Sequence, residues 1–213
     1  MAGHDLIFFH APQSRSGGVR VLFEELGVPY ELRVLNLRAG DSRKPEFLAV
    51  NPMGKVPAIL HKGALVTEQT AVYLYLADLF PEAGLGPRIG DPLRGPFLRW
   101  LAFHGSTFEP ALLDRAFKRE AAPRSTAGYG DYESMIRTLT GQLREGPWIL
   151  GETFSAADIL WGAALHWTTM FGIVEADETI SAYVARYRAR PSVARAQDAD
   201  AALLASFPPQ PQT

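Results

Sequence analysis

The stretch from Val50 to Leu79 restricts the fold more than any other part of the chain. Its first part reads Asn51-Pro52-Met53-Gly54-Lys55-Val56-Pro57-Ala58-Ile59-Leu60. Two prolines and a glycine make a turn that leads into a short apolar strand. Pro57 stands where that strand begins, a position proline tolerates. Thr67-Glu68-Gln69-Thr70 then opens a helix, with Val72, Tyr75, Leu76 and Leu79 spaced as one apolar face. A carboxylate, an amide and two hydroxyls therefore gather at a helix N-terminus, just after a proline-marked strand.

The segments before this stretch fall into the same pattern. Leu6-Ile7-Phe8-Phe9 is a short apolar run, as in a strand buried on both faces. His10 to Gly18 is a polar loop. Val19, Leu22, Phe23 and Leu26 mark a helix that stops at Gly27, a natural residue to follow a helix. Tyr30, Leu32 and Val34 alternate with Glu31 and Arg33 as in a half-buried strand. Asp41 to Val50 is expected to be a short second helix. A hairpin near Lys62-Gly63 joins strands at Ala58–Leu60 and Leu65-Val66, and the helix Glu68–Leu79 follows. The order β-α-β-α-β-β-α fits a thioredoxin-like domain over residues 1–82. Glycines and prolines crowd the next ten residues, so 83–92 reads as a linker. Gly84-Leu85-Gly86-Pro87-Arg88-Ile89-Gly90 is no dinucleotide fingerprint, because it follows a helix, has the wrong spacing and contains Pro87.

Residues 93–213 read as an all-helical domain, giving a two-domain chain of α+β followed by all-α architecture. Leu93, Phe97, Leu101, His104 and Phe108 lie on one side of a long helix, with Trp100, Phe103 and Thr107 on a neighbouring side. A polar loop over Arg119 to Asp131 precedes an amphipathic helix carrying Tyr132, Met135, Ile136, Leu139 and Leu143. Ser155-Ala156-Ala157-Asp158 opens the next helix as a capping box, with Phe154 and Ile159 placed as a hydrophobic staple. Shorter helices are expected around Ile180–Arg188 and Ser192–Ala205, ahead of a polar, frayed tail from Pro208.

Composition removes several function classes. The 213 residues contain no cysteine, which excludes disulfides, thiolate metal sites and a cysteine nucleophile. The net charge of −2 gives no bulk attraction to nucleic acid or anionic membrane. No run approaches the ~18 apolar residues of a membrane span. Met1-Ala2-Gly3-His4-Asp5 lacks the basic and apolar regions of a secretory leader, so a cytoplasmic protein is expected. The five histidines form no i, i+4 pair, and no metal site is expected.

The proline turn, the Thr67-Glu68-Gln69 helix start and the Phe154–Asp158 cap, in this order, closely resemble the soluble glutathione S-transferases, and the resemblance covers nearly the whole chain. It implies that the Val56-Pro57 bond is cis. The N–H and C=O of Val56 would then pair with the cysteinyl backbone of glutathione, like an added strand. It further implies that Glu68 and Gln69 hold the γ-glutamyl end, although the family more often has serine where Gln69 stands. Lys55 would meet a glutathione carboxylate or be an exposed turn lysine. Glu68 would also favour its helix N-terminus without any ligand.

The chemistry of that family needs a thiolate near neutral pH. A free thiol has a pKa of about 8.5, and each unit of lowering takes about 1.4 kcal/mol. A hydrogen bond to a charged group supplies roughly 1.5–3 kcal/mol, so one hydroxyl lowers the thiol by about 1–2 units. The family places its donor near the end of the first strand or the start of the first helix. Here that segment has Phe8 and Phe9 where a tyrosine might stand, and it has no cysteine. Ser14 is the first candidate and Ser16 the second, with a helix N-cap as the other reading of Ser16. Arg15 would stabilise the thiolate by charge or be a solvated loop arginine. Trp100, Phe103, His104, Thr107 and Phe108 would line the site for a small hydrophobic electrophile, and core packing explains their spacing equally well. The resemblance thus implies a serine-type bacterial glutathione transferase that forms homodimers. A glutathione-dependent isomerase or peroxidase, and a non-catalytic glutathione-binding stress protein, remain the alternatives.

Overall fold

The computed structural model describes residues 5–120 and 122–208. Met1–His4 and the tail beyond Pro208 lie outside the described residues, as does Ala121 within the Arg119–Asp131 loop. The chain divides into two compact units: the first comprises residues up to Val72 together with Pro191 onward, and the second runs from Tyr73 to Arg190.

The first unit is a four-stranded sheet in the order β2-β1-β3-β4, made from β1 (Leu6–His10), β2 (Glu31–Val34), β3 (Ala58–His61) and β4 (Ala64–Val66). Strand β2 lies parallel to β1, with Phe8 opposite Leu32. Strand β3 runs antiparallel to β1, placing Ile59 opposite Phe8, and β4 returns antiparallel to β3. Helix α1 (Ser16–Leu26) crosses between β1 and β2. It ends as the sequence suggests: Gly27 is left-handed at φ 64°, and its N–H donates to the Phe23 carbonyl. Leu6, Phe8, Val19, Leu22, Phe23 and Ile59 are buried and form the core beside the sheet.

The expected second helix is broken. A single 3-10 turn covers Asp41–Arg43, and α2 is only Pro45–Leu48. The cause is Pro45, which pushes Lys44 into an extended conformation at ψ 145° and restarts the helix at its own position. Helix α3 (Gln69–Leu79) begins one residue later than expected, and its buried residues are Val72, Tyr73, Leu76 and Ala77. Tyr75 and Leu79 are only half-buried, so the buried face is rotated from the one the spacing suggests.

The second unit is helical. The long helix read from Leu93 to Phe108 is α4 (Arg94–Phe103), followed by one π turn over His104–Phe108 and then α5 (Glu109–Ala116). Phe97, Trp100, Leu101, His104 and Phe108 are all buried. Their centre is Trp161 of α7 (Ala156–Met170), whose indole N–H donates to the Trp100 carbonyl at 3.1 Å. Helices α6 (Tyr132–Leu143) and α8 (Glu178–Arg188) complete the unit. The capping box is present: Asp158 accepts from the Ser155 N–H at 2.9 Å.

Helix α9 (Pro191–Ser206) packs on α1 within the first unit. Arg195 pairs with Glu24 at 2.7 Å, and the Ser192 hydroxyl donates to Glu25. Among the described residues no helix is long and apolar enough to cross a membrane.

Candidate active site

The proline turn is held by Asn51. Its side-chain amide donates to the Lys55 carbonyl at 2.8 Å, and its oxygen accepts the Met53 N–H at 3.2 Å. Gly54 is required here, since it sits at φ 61° and a β-carbon on it would lie 2.5 Å from the Ser42 carbonyl oxygen. The turn delivers Val56 to the start of β3 through a cis Val56-Pro57 bond. Pro57 is buried, Val56 is half-buried and Lys55 is exposed. Among the described residues neither the N–H nor the C=O of Val56 has a hydrogen-bond partner. This backbone edge can take an extended peptide as a further strand.

Glu68 stands just before α3. Its carbonyl accepts the Val72 N–H at 2.9 Å, yet its own φ is 63°. A non-glycine residue there costs roughly 1–3 kcal/mol, and such residues gather where a ligand is held. Its carboxylate is exposed and lies at a positive helix end. The neighbouring Gln69 donates its side-chain amide to the Arg15 carbonyl at 3.3 Å. That bond ties the start of α3 to the loop before α1, bringing Ser14 and Arg15 into one region with Gln69.

In that loop Ser14 is partly exposed and Ser16 is completely buried. Ser16 is the first residue of α1 rather than its cap, and Arg15, which is exposed, occupies the capping position without a side-chain capping hydrogen bond. The Ser16 hydroxyl is used otherwise: it accepts the Ala11 N–H at 3.0 Å and lies 2.9 Å from Nδ1 of His10. The Ser14 and Ser16 hydroxyls are 2.7 Å apart, and each also reaches the Ala11 carbonyl, at 2.7 and 3.1 Å. His10, the last residue of β1, is fully buried, and its Nε2 lies 2.9 Å from Oδ1 of Asp200 on α9. Arg20 of α1 donates to the same Asp200 oxygen at 2.7 Å. Nearby, burial pushes the Tyr30 phenol above its ordinary value while Arg20 pulls it down.

Of these groups His10, Arg20 and Asp200 were not identified from sequence. His10 and Asp200 are 190 positions apart, and nothing in either local pattern pairs them. The five aromatic-site candidates lie in the second unit, where Trp100, His104 and Phe108 are buried against Trp161. Phe103 and Thr107 are half-buried. In the first unit a cavity of about 460 Å³ lies among Pro12, Gln13, Leu35, Arg38, Leu204 and Phe207, next to the loop that carries Ser14. Among the described residues no group of three or more His, Cys, Asp or Glu side chains is arranged to hold a metal ion.

Two family models match, one described as the glutathione S-transferase N-terminal domain over residues 14–79 and the other as the C-terminal domain over residues 110–190. The chain is 28% identical to glutathione S-transferase GstA of Escherichia coli O157:H7 over 204 residues, covering 90% of this chain and 97% of that one. It is 29% identical to the disulfide-bond oxidoreductase YfcG of Escherichia coli K12, covering 90% of this chain and 93% of that one. Among solved structures, a glutathione transferase from Methylococcus capsulatus superposes with a TM-score of 0.78 at 30% identity, over 92% of this chain and 99% of that one. A sphingomonad glutathione S-transferase complexed with glutathione gives 0.75 at 30% identity, over 92% and 98%. With both halves matched and such structures covered over nearly their whole length, the chain belongs to the glutathione S-transferase family.

Proposed function

We propose that the chain is a serine-type glutathione transferase in which Ser14 activates the thiol. Glutathione lies along the edge at Val56, with its γ-glutamyl end at Glu68 and Gln69 and Lys55 near a carboxylate. Ser14 donates its hydroxyl to the sulfur, which attacks a small hydrophobic electrophile. Ser16, being buried, supports Ser14 from behind rather than touching the sulfur. Arg15 adds positive charge at the same helix start. The electrophile occupies the apolar space beside Gln13. A cytoplasmic homodimer, with a domain boundary at 83–92, completes the reading.

The observation that carries it is the bond from Gln69 to the Arg15 carbonyl. It joins the segment suited to a γ-glutamyl group with the segment suited to a thiolate. Relatives whose structures hold glutathione, including the sphingomonad enzyme, support the ligand.

The test is ultraviolet titration of bound glutathione, following thiolate absorbance against pH. Ser14→Ala should raise the thiol pKa by about 1–2 units, and turnover near neutral pH should fall roughly tenfold with little change in glutathione affinity. An unshifted titration in Ser14→Ala alongside a shifted one in Ser16→Ala would transfer the role to Ser16. No shift in either would leave Arg15 and the N–H groups at the start of α1 as the source of activation.

A further inference from the structure

We infer that His10, held by Asp200, takes up the thiol proton of glutathione through the hydroxyls of Ser16 and Ser14. The inference rests on the reading that glutathione binds with its sulfur at Ser14.

The four side chains form a continuous hydrogen-bonded path. Ser14 to Ser16 is 2.7 Å, Ser16 to His10 Nδ1 is 2.9 Å, and His10 Nε2 to Asp200 is 2.9 Å. The two middle members, Ser16 and His10, are both fully buried, so water does not take their place. Only a partly exposed end, Ser14, meets the proposed ligand.

For a neutral imidazole the donor and acceptor count allows one continuous chain of bonds. With the imidazole proton on Nε2 facing the carboxylate, Nδ1 is an acceptor and takes the Ser16 O–H. The Ser16 oxygen then accepts from the Ala11 N–H at 3.0 Å and from the Ser14 O–H. The Ser14 oxygen accepts the Ser16 N–H at 3.2 Å and has one lone pair left for an incoming S–H. When no thiol is present, the Ala11 carbonyl, 2.7 Å away, competes for the Ser14 proton.

Ionisation shifts each proton by one place. The S–H proton passes to the Ser14 oxygen, the Ser14 proton to the Ser16 oxygen, and the Ser16 proton to Nδ1 of His10. Each broken bond leaves its electron pair on the atom that gave up the proton, so nothing is oxidised or reduced and no co-reactant is needed. Afterwards Nδ1–H donates to Ser16, Ser16 donates to Ser14, and Ser14 donates to the thiolate. The same relocation that removes the proton therefore turns the Ser14 hydroxyl towards the anion it must stabilise.

A serine hydroxyl cannot retain the proton, whereas Nδ1 of the imidazole offers a basic lone pair that can. The charged groups at this end are Asp200 from α9 and Arg20 from α1, which share one carboxylate oxygen; the remaining ring neighbour on β1 is Phe8, which is neutral. Arg20 answers the carboxylate charge while the site is empty. Formation of a thiolate supplies the negative charge that balances an imidazolium. His10 is a positioning residue here, since it acts only through the two serines.

The experiment observes the ring nitrogens of His10 by nuclear magnetic resonance in the whole protein, with and without glutathione. Thiolate absorbance and proton release to the buffer are measured on the same samples. The expected result is an imidazolium at His10 in the complex, a thiolate signal, and close to no proton released. In His10→Gln the side chain can still accept a hydrogen bond but takes up no proton. That variant should bind glutathione with little change in KM, release about one proton per thiolate formed, and lose roughly tenfold in kcat near neutral pH. A thiolate complex in which His10 stays neutral overturns the relay and leaves the proposed activity standing. Absence of glutathione binding by the wild-type protein overturns both. The wild-type spectra decide the matter even if His10→Gln does not fold.

Discussion

The side-chain amide of Asn51 donates to the Lys55 carbonyl across 2.8 Å, closing the turn that presents the Val56 edge. Asn51 is 4% exposed, so water cannot readily replace that donor. Asn51→Ala leaves the Lys55 carbonyl and the Met53 N–H without their partner. It should cost about 1–3 kcal/mol of stability and also weaken glutathione binding, because the edge is no longer held in place. Thermal melting and calorimetry with glutathione check this. Weakened melting with unchanged affinity would mean that the turn is structural and that Val56 is not part of the ligand site.

Glu68 separates a ligand role from a conformational one. Its φ of 63° suits glycine better than glutamate. Glu68→Gly should therefore relieve backbone strain of about 1 kcal/mol and raise the melting temperature, while Glu68→Ala should not. Both variants lose the carboxylate and should lose about 1.5–3 kcal/mol of glutathione affinity. If Glu68→Gly keeps full affinity, the carboxylate has no part in binding.

The first unit was largely readable because its signals are local. Gly27 ends α1, the Lys62-Gly63 pair turns the hairpin, and both take the positive φ that this requires. The broken α2 was also present in the sequence, in Pro45, whose effect on Lys44 is local. The cis bond at Pro57 came from family likeness, since local physics favours trans.

Other features depended on distant partners. Ser16 looks like a helix cap because serine commonly is one, but His10 competes for its hydroxyl and wins. His10 in turn depends on Asp200, which only the packing of α9 on α1 brings near. Helical spacing placed Trp100, His104 and Phe108 on covered faces. It could not say whether ligand or core covers them, and the structure surrounds them with Trp161. The π turn at His104–Phe108 had no sequence signal that periodicity could detect.

Gly162 fixes the approach of α7 and α8. A β-carbon built on it would lie 2.3 Å from Cγ and 2.8 Å from Cβ of Tyr187. Those atoms are at the root of a buried side chain, so the ring cannot swing aside without moving α8. Gly162→Ala should then cost roughly 1–3 kcal/mol by overpacking, although alanine is the better helix former by about 1 kcal/mol. Chemical denaturation checks the balance. A stability gain would show that the helices separate easily at this crossing.

The buried cap of α7 should make stability depend on pH. Asp158 is fully buried and accepts from the Ile149 N–H at 2.7 Å, from the Tyr183 hydroxyl at 2.8 Å, and from Ser155. Burial nevertheless prevails over these donors and pushes the carboxyl from 3.8 up to about 6. The folded state thus holds its proton more tightly than the unfolded chain does. Below pH about 3.8 both states are protonated and this stabilising contribution is fully present. As pH rises through the window from there to about 6, the unfolded chain ionises first and the contribution is lost. A difference of about two units corresponds to roughly 3 kcal/mol. Denaturation across that window should show the wild-type protein losing stability as pH rises. Asp158→Asn, which has no proton to lose there, should be less stable throughout and flatter in the same range. Equal slopes for the two proteins would show that the hydrogen bonds, and not burial, set the ionisation of Asp158.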